Sequence, residues 1–183
     1  MSRWFLEYAE ILLNQFGDIV DSWATFNEPV AVYERRAKWF LDPRLKEEKY
    51  ARQCTHNLQV WHVETAKLLW RKQLKNTRNE IVVDVWHYKP TCPGRKDEEQ
   101  MALYGNEIVG YGMLLHPLFL GGYSEIRMKY MEENHLMSET EASDLETMRQ
   151  KIDFYGLNFY NGLIACADES KEEKSGEKQG SNY

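Results

Sequence analysis

Apolar residues recur near every 3.6 positions at the start of the chain, at Trp4, Phe5, Tyr8, Ile11, Leu12 and Phe16. That period lines one face of a helix, so residues 3–16 are predicted helical, with Ser2 as N-cap and Gly17 just past the end. The pattern then shortens to Ser22-Trp23-Ala24-Thr25-Phe26, a β-prone run that predicts a strand over 22–27. A longer helical pattern follows over 46–75, with Tyr50, Cys54, Leu58, Trp61, Thr65 and Leu68 as its stripe. Asn76-Thr77 breaks it, Ile81 to Trp86 reads as a second strand, and Pro90 and Pro93-Gly94 end that strand in a loop. Further on, a helix is predicted over 97–112, a loop with Pro and Gly over 116–123, polar helices over 124–134 and 139–150, and a third strand from Asp153 to Phe159. Strands alternating with helices of this length imply βαβ units and a parallel sheet. Residues 1–165 are thus expected to form one α/β segment.

From Asp168 the pattern stops. Residues 168–182 contain no apolar side chain, so they have little surface to bury against the entropy of ordering. Residues 166–183 are expected to be a disordered polar tail or a solvated loop. The net charge of −6 argues against nucleic acid as a partner, because phosphate binding needs a concentrated basic surface. No apolar run approaches the ~20 residues that span a bilayer, and Met1-Ser2-Arg3-Trp4 opens straight into the amphipathic pattern, so no secretory signal is expected. Three cysteines, Cys54, Cys92 and Cys166, without a Cys-x-x-Cys pair, suit a reducing compartment and not a zinc site. A cytoplasmic setting is expected.

Chemistry concentrates at Thr25-Phe26-Asn27-Glu28-Pro29. Pro29 has no N–H for a ladder and a fixed φ, so the strand must end there. The Glu28 carboxylate then sits at a strand's C-terminal end beside the Asn27 amide, where parallel α/β folds build catalytic sites. Ordinary turn chemistry is the plain alternative for Asn-Glu-Pro alone. The histidines add no competing site: His56 and His62 are six apart, on different sides of a helix, and no His-Glu-x-x-His spacing occurs. Trp61 and Trp70 are expected to pack in the core.

The flanks of this motif resemble family 1 glycoside hydrolases, the retaining β-glycosidases. Phe5-Leu6-Glu7-Tyr8-Ala9 and Phe16-Gly17-Asp18-Ile19-Val20 look like the helix before that family's fourth barrel strand, and Trp23 to Pro29 like its acid/base motif. His116-Pro117-Leu118 with Gly121-Gly122-Tyr123 matches a Pro…Gly-x-Tyr segment, and Asp153 to Tyr160 is similar to the sixth-strand signature. The resemblance covers about residues 4–163. It implies part of a (β/α)8 TIM barrel, about strands 4 to 6 with their helices, since a whole barrel needs about 250 residues. It implies Glu28 as acid/base, Asn27 as a ligand of the sugar 2-hydroxyl, and Asn158 and Tyr160 as substrate-pocket residues, Tyr160 orienting the nucleophile. A core aromatic at a strand end is the alternative for Tyr160.

Retaining hydrolysis needs two carboxyl groups about 5–5.5 Å apart, and the family's nucleophile motif Glu-Asn-Gly does not occur in this sequence. Glu133-Asn134-His135 is the nearest string, at a helix end, and does not replace it. The substrate implied is a β-glucoside or its 6-phospho form, with no metal or cofactor. The isolated chain is expected to be inactive or nearly so. Its partner is expected to be a complementary barrel piece or a second copy, and a truncated, non-catalytic protein is the alternative. Asp84 stays open as a charge partner facing the barrel interior. In a section of a barrel, Phe26, Val83, Val85, Phe154 and Leu157 are expected to be poorly covered.

Overall fold

The computed structural model describes residues 2–29, 48–74, 77–137, 144, 147–149 and 151–167. In chain order the elements are α1 (Ser2–Phe16), β1 (Ser22–Asn27), α2 (Glu48–Lys72), β2 (Arg78–Asp84), β3 (His87–Pro90), α3 (Lys96–Tyr104), a π-helical turn (Gly105–Val109), α4 (Gly112–Leu115), a second π-helical turn (His116–Leu120), α5 (Glu125–Glu133), β4 (Phe154–Asn158) and β5 (Gly162–Ala165). The side chain of Ser2, most of the helix expected over 139–150, and the polar stretch from 168 fall outside the described residues.

Strands β1, β2 and β4 form a sheet in that order, both pairs parallel. This is the sheet the alternating pattern predicts. Beyond its C-terminal edge, β3 and β5 pair in parallel as a second small sheet, where a loop was the expectation. Pro90 stands at the last rung of that pair, opposite Ala165, where a missing N–H disturbs the ladder least.

The core lies on the helix side of β2. Ile81 and Val83 pack with Val63 of α2, Met113 and Leu114 of α4, and Leu118, all at 1% exposure or below. Val83 is therefore fully covered, contrary to expectation, because it points at the helices. Phe26 stacks on Phe5 at 4.9 Å between centroids, Val85 and Phe154 are half-buried, and Leu157 is exposed as expected.

The buried surface of α2 differs from the predicted stripe: it carries Arg52, His56 and Gln59, with His62 about a third of a turn away against Thr25 of β1, while Tyr50 is exposed. Apolar periodicity misses this face because its polar groups meet main-chain and side-chain partners. Arg52 Nη1 donates to the Ile108 carbonyl at 2.9 Å, as Arg127 Nη1 does at 3.1 Å, and Gln59 Nε2 donates to the Met113 carbonyl at 2.9 Å. The Ile108 carbonyl lies in the π-helical turn that interrupts the helix expected over 97–112, and the Met113 carbonyl lies in α4 just beyond it. In the first turn Gly110 N–H bonds the Gly105 carbonyl at 2.8 Å, an i→i+5 step that widens the helix. A Cβ on Gly110 would lie 2.9 Å from the Asn106 carbonyl oxygen and 3.0 Å from that of Trp86, so only glycine lets this bend press against the end of β2. Gly17 acts likewise: it has no left-handed φ, and its missing side chain makes room for Leu74.

Candidate functional site

Glu28 continues the ladder by one bond beyond β1, its N–H donating to the Val82 carbonyl at 2.9 Å. Pro29 then ends the pairing. Glu28 adopts a left-handed φ of 50°, a conformation that costs a non-glycine residue about 1–2 kcal/mol. Gln73 and His135 also have positive φ, but both lie just past helix ends, where such a residue is ordinary. At Glu28 the strained residue carries the carboxylate itself, which is the kind of place where folds store strain.

Strand β4 brings the second half of the cluster. Asn158 Nδ2 donates to Glu28 Oε1 at 2.8 Å and to Asn27 Oδ1 at 3.1 Å. Tyr160, two residues past β4, donates its hydroxyl to the same Oε1 at 3.2 Å. Because β2 lies between β1 and β4, these bonds reach across the end of the central strand. The Glu28 carboxylate, through its hydrogen bond and its charge, pushes the Tyr160 hydroxyl above the usual phenol range, although the ring is exposed. Two donors on one oxygen make Glu28 an acceptor, and among the described residues Oε2 accepts no hydrogen bond. The arrangement can hold a carboxyl group in place for proton transfer while leaving one oxygen for a ligand.

All four residues singled out in the sequence, Asn27, Glu28, Asn158 and Tyr160, thus meet at one end of the sheet. Sequence reasoning did not find the neighbouring pair: Trp86 donates its indole N–H to Asp84 Oδ2 at 2.8 Å. The signal was the two-residue spacing past a strand end, which puts both side chains on one side. Among the described residues no three His, Cys, Asp or Glu side chains cluster as metal ligands, and no helix is long and apolar enough to cross a membrane.

Polar side chains gathered at the C-terminal ends of parallel strands occupy the place where α/β folds put their ligand sites. The chain belongs to glycosyl hydrolase family 1, whose model matches residues 2–183. It is 29% identical over 169 residues to a 1,4-beta-D-glucan glucohydrolase of Thermotoga neapolitana, covering 92% of this chain and 39% of that protein. Myrosinase 1 of Brevicoryne brassicae is 26% identical over 175 residues, covering 90% and 38%. Among solved structures, a beta-glucosidase of Thermotoga maritima in complex with deoxynojirimycin superposes with a TM-score of 0.77 at 27% identity, covering 93% of this chain and 37% of that one. A beta-glucosidase from Exiguobacterium marinum gives 0.78 at 25% identity, covering 89% and 37%. The chain therefore spans less than two fifths of the length of these relatives.

Proposed function

We propose that this chain supplies strands 4 to 6 of a (β/α)8 barrel and the acid/base half of a retaining β-glucosidase site. In this reading Glu28 protonates the departing glycosidic oxygen and then activates water, and Asn27 bonds the sugar 2-hydroxyl. Asn158 and Tyr160 hold the Glu28 carboxylate, so Tyr160 bonds the acid/base in this chain, whereas the resemblance implies that it orients the nucleophile. The nucleophile is a second carboxylate carried by barrel strands outside this sequence, in the same polypeptide or in a complementary chain. The convergence of Glu28, Asn158 and Tyr160 within 3.2 Å across the central strand is the observation that carries the reading. It brings together residues 130 or more positions apart, all at the sheet end where such enzymes react. The family membership and the beta-glucosidases among its relatives support the substrate class.

The chain by itself is expected not to turn over an aryl β-glucoside, since a retaining site without its nucleophile loses several orders of magnitude. Supplied with the remaining barrel strands, it should gain activity. Glu28→Gln should then slow glucosides with poor leaving groups far more than those with activated aryl groups, because only the former need a proton. Equal loss on both substrate types would remove Glu28 from the acid/base role. Turnover by the unsupplemented chain at roughly 1–1,000 per second, abolished by Glu28→Gln, would overturn the missing nucleophile.

A further inference from the structure

A second group of polar atoms lies at the opposite end of the sheet from Glu28. Asn79 is near the start of β2 and stands opposite Trp23 of β1, whereas Glu28 bonds the Val82 carbonyl towards the other end of that strand. Asn79 is 1% exposed. Among the described residues neither its Oδ1 nor its Nδ2 has a hydrogen-bond partner, and the buried Thr77 hydroxyl has none either. A buried donor or acceptor left unpaired is costly, and each one in a native fold calls for an explanation. Asn79 and Thr77 both line a half-open cavity of about 170 Å3 between the end of α2 and the start of β2. Leu69, Leu74 and Trp70 give the same cavity apolar walls. Of the residues that line it, Asp153 alone is charged. Both its oxygens are taken: Oδ2 accepts the Asn79 N–H at 2.9 Å, and Oδ1 lies 3.0 Å from Lys151 Nζ.

We propose that this cavity binds a small neutral polyol of about the size of glycerol. A cavity of about 150 Å3 takes up benzene, which has as many heavy atoms as glycerol. The unpartnered set holds an amide acceptor, an amide donor and a hydroxyl. A hydroxyl group both donates and accepts, so three neighbouring ones can meet all of them. With Asp153 paired to Lys151, the walls offer no charge for an ionic ligand. Leu69, Leu74 and Trp70 suit the C–H side of a carbon chain, where separate waters would leave hydrogen bonds unmade. The cavity lies most of the length of β2 from Glu28, at about 3.3 Å per residue, so a polyol held there takes no part in the proposed proton transfer.

Nuclear magnetic resonance of the full chain, labelled with 15N and 13C, tests this with glycerol as the probe. The Asn79 side-chain amide is assigned by through-bond correlation to its own backbone. It should shift with glycerol and saturate with a Kd of about 1–10 mM, within the range open to six heavy atoms. 1-Propanol keeps the carbon chain and one hydroxyl, and it should bind about tenfold more weakly or worse. That comparison uses the unmodified chain and needs no variant to fold. Thr77→Val keeps the shape, removes the hydroxyl and should weaken glycerol binding about three- to tenfold, the scale of one hydrogen bond. A shift that never saturates, equal affinity for 1-propanol, or an Asn79 amide that contacts water alone in the presence of glycerol would each overturn the polyol site.

Discussion

Val83 and Leu157 stand side by side at one rung of the sheet, yet Val83 is 0% exposed and Leu157 56%. Both are aliphatic and both sit on short parallel strands, so the difference lies in what covers them. Over β2 the helical layer is complete, with Val63, Met113, Leu114 and Leu118 closing on Ile81 and Val83. Strand β4 is the last strand of its sheet among the described residues, and no such layer closes over Leu157. The other flank repeats the pattern: α1 leaves Trp4 and Ile11 exposed at 73% and 62%. A finished middle between two apolar flanks is what a section cut from a closed barrel would have, and it separates covered residues that stabilise this chain from exposed ones that do not.

The largest test of that contrast is to cut into the middle. Leu114→Ala removes a side chain at 0% exposure over Val83, and it should cost about 2–5 kcal/mol through lost burial and the cavity left behind. Urea denaturation gives the value. A cost below about 1 kcal/mol would mean the middle is not a packed core.

A second break comes from acid. His62 of α2 is buried against β1, and burial lowers its pKa to about 4. Its Nδ1 lies 2.7 Å from the Thr25 hydroxyl, which in turn donates to the Glu80 carbonyl at 3.2 Å, so Nδ1 carries the proton. Nε2 is then a buried acceptor with no partner among the described residues. With a folded pKa below the unfolded value of 6.5, the unfolded chain takes up a proton first as pH falls. Stability contributed by neutral His62 should hold above about 6.5 and drain away between 6.5 and 4, by about 3 kcal/mol in all. Unfolding free energies at pH 7.5 and 4.5 should show most of that loss, and His62→Gln should remove it. Asp153, held below the usual carboxylate range chiefly by the Asn79 backbone N–H, loses its contribution only at lower pH, so the two windows separate.

The parts of this structure that a sequence reveals are those written in one period or one motif. The strands that became β1, β2 and β4 showed as short β-prone runs, and Asn27, Glu28, Asn158 and Tyr160 showed through motif resemblance. The buried surface of α2 did not show, because Arg52, His56, Gln59 and His62 look like solvent-facing residues until their partners are in place. Those partners are carbonyls such as that of Ile108, exposed by π-helical turns that no apolar period encodes. The Asp84–Trp86 pair was hidden for a related reason: a charged residue at a strand end looks like a boundary until a donor two positions on is seen to bond it.

The site itself should show the opposite sign from the core. Glu28→Gly relieves the left-handed φ of 50° and should raise stability by about 1 kcal/mol, while removing the carboxylate on which the proposed chemistry depends. Its hydrogen bond to Tyr160 is exposed and that to Asn158 only partly buried, so their loss offsets only part of the gain. Thermal unfolding measures the shift. A clear destabilisation would mean that the carboxylate holds β1 and β4 together, and that the strain is not stored for function.

The smallest effect on folding is expected where the contrast began. Leu157→Lys places a charge on an exposed position of the outermost described strand, and it should change the unfolding free energy by no more than about 0.5 kcal/mol. Its effect on association should be larger. Exposed apolar edges pair with other chains, and a lysine on the edge is a common natural defence against this. The unmodified chain should therefore sediment as a concentration-dependent mixture, and Leu157→Lys should shift it towards monomer. Leu114→Ala offers the converse control, since it weakens the fold without touching the flank. Should both the unmodified chain and Leu157→Lys sediment as single monomers at the same high concentration, the flank would be a tolerated surface and not a surface awaiting further strands. The exposure of Leu157 would then reflect the chain's own completed shape.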